Sequence, residues 1–177
     1  KAFEQRFGIK IVETMGITET ASPLLSNPID PMLHKLGSPG IAYGNEVRIA
    51  DADGKVAALN TESEIQVRGS NLMQGYLKNP EATLEAFTTD GWYRTGDLGK
   101  MDSDGYVFVT GRLKELIIKG GENISPREID DVLYRHKKVM EAAAFPIPDN
   151  HYGQTVAAAI APRPGENVSK SELRKLC

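Results

Sequence analysis

Apolar residues stand two apart in three separate stretches of the chain: Val47 and Ile49, Ile65 and Val67, and Val107 and Val109. A period of two puts both members of a pair on one face of an extended chain, so these stretches predict half-buried strands. Asp51-Ala52-Asp53-Gly54 and Asp102-Ser103-Asp104-Gly105 predict turns between strands, because aspartate bonds its own backbone and glycine supplies positive φ. Short strands joined by such turns predict a small β-barrel or sandwich over about residues 40–111. One helix interrupts it, with Asn79 as cap, Pro80 at the first position, and Leu84 and Phe87 on a shared face.

Upstream the pattern is weaker. Phe3 and Phe7 have helical spacing and Gly8 follows as a stop, which predicts the end of a helix. Ile9 and Ile11 predict a strand that runs into the polar, glycine-bearing loop Thr14–Thr20. Ser22 to Gly40 is rich in proline and polar residues and predicts irregular structure.

Downstream a second unit begins. Leu116-Ile117-Ile118 predicts a buried strand. Ser125, Pro126 and Glu128 then mark a helix start as N-cap, first helical residue and capping box, with Ile124 and Ile129 as a hydrophobic staple. Ile129, Val132 and Leu133 fall on one face of that helix. Val139–Phe145 and Thr155–Ile160 predict two more strands, and Ser169 with Glu172 forms a second capping box. The resulting fold class is α+β: residues 1–111 form part of a larger domain with a β-barrel-like subdomain, and residues 115–177 form a small βαββα unit. Residues 112–114, between the two, predict a hinge, bounded downstream by the Gly120-Gly121 turn.

Composition narrows the class. The 177 residues are 40% hydrophobic and 25% charged, which is ordinary for a water-soluble globular chain. A net charge of −3 gives no basic footprint for nucleic acid. The single cysteine, Cys177, excludes an internal disulfide and predicts a reducing, cytoplasmic setting. No apolar run is long enough to span a membrane, and no signal peptide opens the chain. The chain opens on Lys1 rather than methionine, and its last helical pattern is cut at Cys177, which predicts a piece of a longer protein.

Most ligand patterns fail. An EF-hand loop counted from Asp51 reaches Glu62 at its twelfth position but has Val56 at the sixth; counted from Asp102 it has Leu113 at the twelfth. His34, His136 and His151 are too scattered for zinc. Lys119-Gly120-Gly121 lacks the pattern of a phosphate-binding P-loop. Two carboxylates remain. Asp97, in Tyr93-Arg94-Thr95-Gly96-Asp97, lies beside a glycine that leaves backbone uncovered, and its two oxygens suit a pair of neighbouring hydroxyls such as a ribose; an ordinary aspartate turn reads equally well. Glu19, in the loop after the first strand, suits Mg²⁺ beside phosphate oxygens, with a solvated loop acid as the plain alternative.

Taken together these residues resemble the adenylate-forming superfamily of acyl- and aryl-CoA synthetases, luciferases and peptide-synthetase adenylation domains. Met15-Gly16-Ile17-Thr18-Glu19 is similar to the family's Tyr-Gly-x-Thr-Glu motif. The resemblance implies that Thr18 meets phosphate, that Glu19 binds Mg²⁺, and that Met15 and Gly16 lie at the adenine. Met15 departs from the family's aromatic residue, although a thioether still packs on a ring. Asp97 matches the aspartate that holds the ribose, and Arg112 an arginine that reaches the ribose and phosphates. Lys114 falls at the family's hinge, and Gly120, Gly121 and Glu122 in the loop that meets CoA during thioester formation.

The resemblance implies an AMP-forming acid-thiol ligase whose substrates are a small carboxylic acid, ATP and CoA, with Mg²⁺. The family's phosphate loop, its C-terminal lysine and most of its acyl pocket have no counterpart in these 177 residues, so the chain alone is expected to fold in part but to be inactive. Two other readings stay open: a non-catalytic nucleotide-binding or interaction module on the same fold, and a peptide-synthetase adenylation domain.

Overall fold

The computed structural model describes residues 2–176, with Pro31 described by its backbone alone. Cys177, on which the cytoplasmic expectation rests, lies outside the described residues. The chain divides into two compact units, residues 1–109 and 110–177.

In the first unit, helix α1 (Ala2–Phe7) ends at Gly8, whose φ of +65° turns the chain while its N–H donates to Glu4 O at 2.8 Å. Ile9 and Ile11 are exposed and lie outside any strand; β1 (Thr14–Gly16) starts later than their spacing predicts. The proline-rich stretch is also more ordered than expected. It contains β2 (Pro23–Ser26), which pairs antiparallel with β1 and with β3 (Ile41–Ala42). Leu24 and Leu25 on β2 are fully buried, and that burial fixes a strand which composition alone hides.

The alternating pairs form strands as expected. β4 (Glu46–Ala50), β5 (Ser63–Arg68), β6 (Tyr93–Met101) and β7 (Val107–Arg112) lie in that order in a second sheet. Leu24 and Leu25 from the first sheet meet Ile49, Ile65, Val67 and Val107 from the second in one core. Each such side chain contributes roughly 1.5–3 kcal/mol on burial. Neither sheet closes into a barrel, which corrects that expectation. Closure needs enough tilted, staggered strands to join the first to the last, and four strands leave β4 and β7 as edges. The acidic turns are backbone-bonded turns: Asp51 Oδ1 accepts from the N–H groups of Asp53 and Lys55, and Asp102 Oδ1 from those of Asp104 and Tyr106.

Helix α2 (Pro80–Ala86) is capped by Asn79, whose Oδ1 accepts from Ala82 N–H at 3.1 Å. It stops before Phe87, which is extended and bridges to Tyr93, so Leu84 and Phe87 do not share a helical face and Leu84 stays exposed.

The second unit carries β8 (Ile117–Lys119), β9 (Glu122–Ile124), α3 (Pro126–Leu133), β10 (Val139–Asp149), β11 (Gly153–Pro162) and α4 (Lys170–Arg174). Its sheet runs β10-β11-β8-β9, and Ile117, Leu133 and Val139 are its buried apolar residues. The order is ββαββα rather than βαββα, because Gly120-Gly121 is a two-residue hairpin turn with a strand on each side. Of the expected buried strand, Ile117 is buried and Ile118 exposed.

Helix α3 begins at Pro126 as the sequence predicts, but Ser125 does not cap it with its side chain. The buried hydroxyl donates instead to Thr110 O at 3.3 Å, passing the bare face of Gly111, where a Cβ would come within 3.0 Å of it. The Ser169 box does form: Ser169 Oγ accepts from Glu172 N–H at 3.2 Å, and Glu172 Oε2 accepts from Ser169 N–H at 2.8 Å.

Candidate functional site

Glu19 sits in a single 3₁₀ turn, Thr18–Thr20, directly after β1. The turn is held from within by Thr20, whose fully buried hydroxyl lies 2.9 Å from Ile17 O and 2.7 Å from Ser22 O. It is held from outside by residues some fifty positions away. Asn71 Nδ2 donates to Thr20 O at 2.9 Å and to Ser22 Oγ at 3.0 Å, and Met73 N–H donates to Glu19 O at 2.7 Å.

The side chain is held as well. Tyr76 OH donates to Glu19 Oε1 at 2.9 Å and lies 3.2 Å from Tyr93 OH. Burial pushes the Tyr93 phenol well above the ordinary tyrosine range, helped by its bond to Tyr76 and by the Glu19 charge. Thr18 is exposed at the start of the turn, and Gly16 is exposed one residue after Met15. Met15 is half-buried and packs on the core of this unit. The β1–β2 register shifts between Met15 and Gly16, and a Cβ on Gly16 would lie 3.1 Å from Ser22 O.

Asp97 owes its position to a bulge in β6. Gln66 pairs with Arg94 and Glu64 with Leu98, so Thr95, Gly96 and Asp97 together face Ile65 alone. Three bonds hold the bulge. Thr95 Oγ1 donates to Ile65 O at 2.7 Å, Asp97 N–H donates to Thr95 Oγ1 at 3.0 Å, and Gly96 N–H donates to Glu64 Oε1 at 3.1 Å. Gly96 takes a φ of +72°, the left-handed region a side chain disfavours. Asp97 is 2% exposed, with Tyr93 four residues before it on the same strand.

In the second unit, Arg112 is exposed at the end of β7, and Lys114 is exposed in a 3₁₀ turn, Leu113–Glu115. Gly120 and Gly121 turn between Lys119 and Glu122, with φ of +59° and +91°. The hairpin is fastened to the turn before β11 and to β11 itself: Gly120 N–H donates to Tyr152 O at 3.0 Å, Lys119 Nζ stands 5.4 Å from the Tyr152 ring centre, and Ile118 N–H donates to Gln154 Oε1 at 2.8 Å. Glu122 is exposed.

The structure therefore gathers Met15, Gly16, Thr18 and Glu19 at one end of β1 and ties Glu19, through Tyr76 and Tyr93, to the strand that carries Asp97. Sequence reading missed Tyr76, Asn71, Met73 and Glu64. Their roles rest on pairings across many residues, and only the tyrosine in the motif around Asp97 offered a signal. No group of three or more acidic, histidine or cysteine side chains among the described residues could hold a metal by itself. Mg²⁺ commonly takes one or two carboxylates and completes its shell with substrate phosphates and water, so the single Glu19 carboxylate fits Mg²⁺ delivered with a nucleotide. Among the described residues no helix is long and apolar enough to cross a membrane.

Residues 1–77 match the family model of AMP-binding enzymes, and residues 128–177 match that of the AMP-binding enzyme C-terminal domain. The chain belongs to the AMP-binding enzyme family. It is 52% identical over its whole length to a sulfoacetate–CoA ligase of Cupriavidus necator and 40% identical over 98% of its length to an oxalate–CoA ligase of Arabidopsis thaliana. These matches take in 35% and 34% of those two proteins, so the chain spans about a third of the curated relatives it matches. Among solved structures, MatB from Rhodopseudomonas palustris with ATP bound superposes with a TM-score of 0.89 at 34% identity, covering 98% of this chain and 35% of that one. The o-succinylbenzoate CoA synthetase of Bacillus subtilis, in complex with its acyl-adenylate intermediate, superposes with a TM-score of 0.83 at 34% identity, covering 99% of this chain and 36% of that one.

Proposed function

We propose that this chain is part of an AMP-forming acyl-CoA ligase, which joins a carboxylic acid to ATP as an acyl-adenylate and then passes the acyl group to CoA. The observation that carries the reading is a pair of constrained carboxylates. Glu19 is fixed through both backbone and side chain, and Asp97 is buried in a built bulge on the strand linked to it. In this reading Mg²⁺ supplies positive charge beside the phosphates. Glu19 holds that ion, and Thr18 donates to a phosphate oxygen. Asp97 accepts from the two ribose hydroxyls, while Met15 and Gly16 border the adenine. Arg112 reaches the ribose and phosphates, Lys114 is the pivot, and the Gly120–Glu122 hairpin passes close to the thiol arm of CoA.

Alone, the 177 residues offer Glu19 for Mg²⁺ and Arg112 near the ribose, and no lysine assigned to the phosphates. Loss of a single preorganised electrostatic group commonly lowers rates by about 10²–10³, so the chain by itself should form no adenylate. The test is pyrophosphate exchange by the complete enzyme with ATP, Mg²⁺ and a panel of acids that includes sulfoacetate and oxalate. Acid-dependent exchange is expected. Asp97→Ala should lower kcat/KM for ATP by roughly tenfold or more, since hydrogen bonds to a charged group are worth about 1.5–3 kcal/mol. Absence of exchange with every acid would overturn the ligase reading, and unchanged ATP kinetics in Asp97→Ala would remove Asp97 from the ribose.

A further inference from the structure

The Glu19 side chain is held by a chain of two phenols, Tyr76 and Tyr93. Tyr76 OH has a single proton and commits it to Glu19 Oε1. The 3.2 Å contact between the two phenol oxygens is then made by the Tyr93 proton, so the bonds run from Tyr93 to Tyr76 to Glu19. Hydrogen bonds in such a series polarise one another, and the last of them meets a charge. Tyr93 is 4% exposed and its ring packs edge-on to Phe87 at 5.5 Å, so the far end of the series is fixed by packing. Tyr76 is placed from its other side: its N–H donates to Thr83 Oγ1 at 2.8 Å, and Thr83 Oγ1 donates to Asn79 O at 2.9 Å. Among the described residues, Glu19 Oε2 takes no hydrogen bond from protein.

We infer that Tyr76 and Tyr93 are positioning residues that lock Oε1 of Glu19 and thereby present Oε2 to a divalent cation. The inference rests on the reading of Glu19 as the cation ligand. A carboxylate free to rotate must give up that freedom on binding a metal, whereas one with an oxygen already engaged does not. Outer partners of metal ligands act in this way generally, and their removal lowers metal affinity about 10–100-fold.

The experiment measures Mn²⁺ bound to the complete enzyme with a nonhydrolysable ATP analogue, by electron paramagnetic resonance, together with analogue affinity in the absence of metal. Tyr76→Phe keeps the ring and deletes the donor; it should weaken Mn²⁺ about tenfold or more and leave metal-free analogue binding unchanged. Tyr93→Phe should weaken Mn²⁺ by less. Glu19→Gln should weaken it at least as much as Tyr76→Phe, and adding Tyr76→Phe to Glu19→Gln should bring no further loss. A purely structural role for the tyrosines would weaken analogue binding with and without metal alike, and would overturn the inference. Normal Mn²⁺ affinity in Tyr76→Phe, with a loss in Glu19→Gln, would overturn it while leaving Glu19 as the ligand. Normal affinity in Glu19→Gln would remove Glu19 from the cation, and the positioning role with it.

Discussion

The hairpin between β8 and β9 separates two costs that glycine substitutions usually mix. Gly120 and Gly121 both have positive φ, as a two-residue hairpin turn of the favoured kind requires. Their surroundings differ. A Cβ on Gly121 would meet nothing within 4 Å, whereas one on Gly120 would stand 3.1 Å from Cδ1 of Tyr152. Gly121→Ala therefore carries backbone strain alone, about 1–2 kcal/mol for an L-residue in the left-handed region, or roughly a factor of 5–30 in the population of the closed hairpin. Gly120→Ala carries the same strain and must also push the Tyr152 ring aside, while its N–H keeps the 3.0 Å bond to Tyr152 O. Asparagine tolerates left-handed backbone, so Gly121→Asn should recover part of the loss. Amide hydrogen exchange at Gly120 reports hairpin opening directly. The expected order of opening is Gly120→Ala, then Gly121→Ala, then Gly121→Asn, then the parent. In the complete enzyme the same order should appear in thioester formation but not in pyrophosphate exchange. Equal opening in the two alanine variants, or an asparagine variant as open as the alanine one, would refute the steric argument. Equal losses in both half-reactions would remove the hairpin from the CoA step.

Two further outcomes follow from local geometry. Gly40 has a φ of +110°, and a Cβ there would fall 2.0–2.2 Å from the backbone of Ser26 and Asn27; Gly40→Ala should destabilise the first unit by about 3 kcal/mol or more, the sum of overpacking and left-handed strain, and an unchanged urea midpoint would contradict this. The Glu172 carboxyl is pushed down to about 2, chiefly by the Ser169 N–H, then by the Ser169 hydroxyl and Lys138. Because its folded pKa is depressed, its support of α4 is complete above the ordinary carboxylate value of 4.5 and is lost as pH falls from there toward about 2; the Ser169 amide proton, followed by NMR, should move over that window and be flat in Glu172→Gln.

Local features of the fold were legible in the sequence, and features set at a distance were not. The strands around Val47, Ile65 and Val107 follow from a period of two, and the turns after Asp51 and Asp102 from side chains that bond their own backbone. The start of α3 was legible from Pro126, but the partner of Ser125 was not, because its hydroxyl turns to a carbonyl fifteen residues back. β2 was hidden because the prolines and serines around Leu24 and Leu25 read as loop, and only burial against the second sheet makes a strand of them. Whether four strands close into a barrel is likewise a property of the whole sheet. At the site, Glu19 and Asp97 could be picked out by motif; the residues that hold them could not, since Tyr76 lies 57 positions from Glu19 and Glu64 lies 32 from Gly96.

The role of α2 follows from the same network. The helix has no buried residue, and Leu84 on it is exposed, so it adds little to the core. Its contribution is the fixed position of Thr83. Asn79 starts the helix by accepting from Ala82 N–H; the first turn brings Thr83 back over Asn79 O, and the Thr83 hydroxyl receives the N–H of Tyr76. Gly75 has no Cβ at the point where Thr83 Cγ2 would be 2.8 Å away, which lets the loop lie against the helix. Tyr76 then reaches Glu19, and Met73, three residues earlier in the same loop, holds Glu19 by its backbone. A short, exposed helix whose apolar residues bury little is thus kept in place by its Asn79 cap and a single threonine, and what it stabilises is the orientation of one carboxylate.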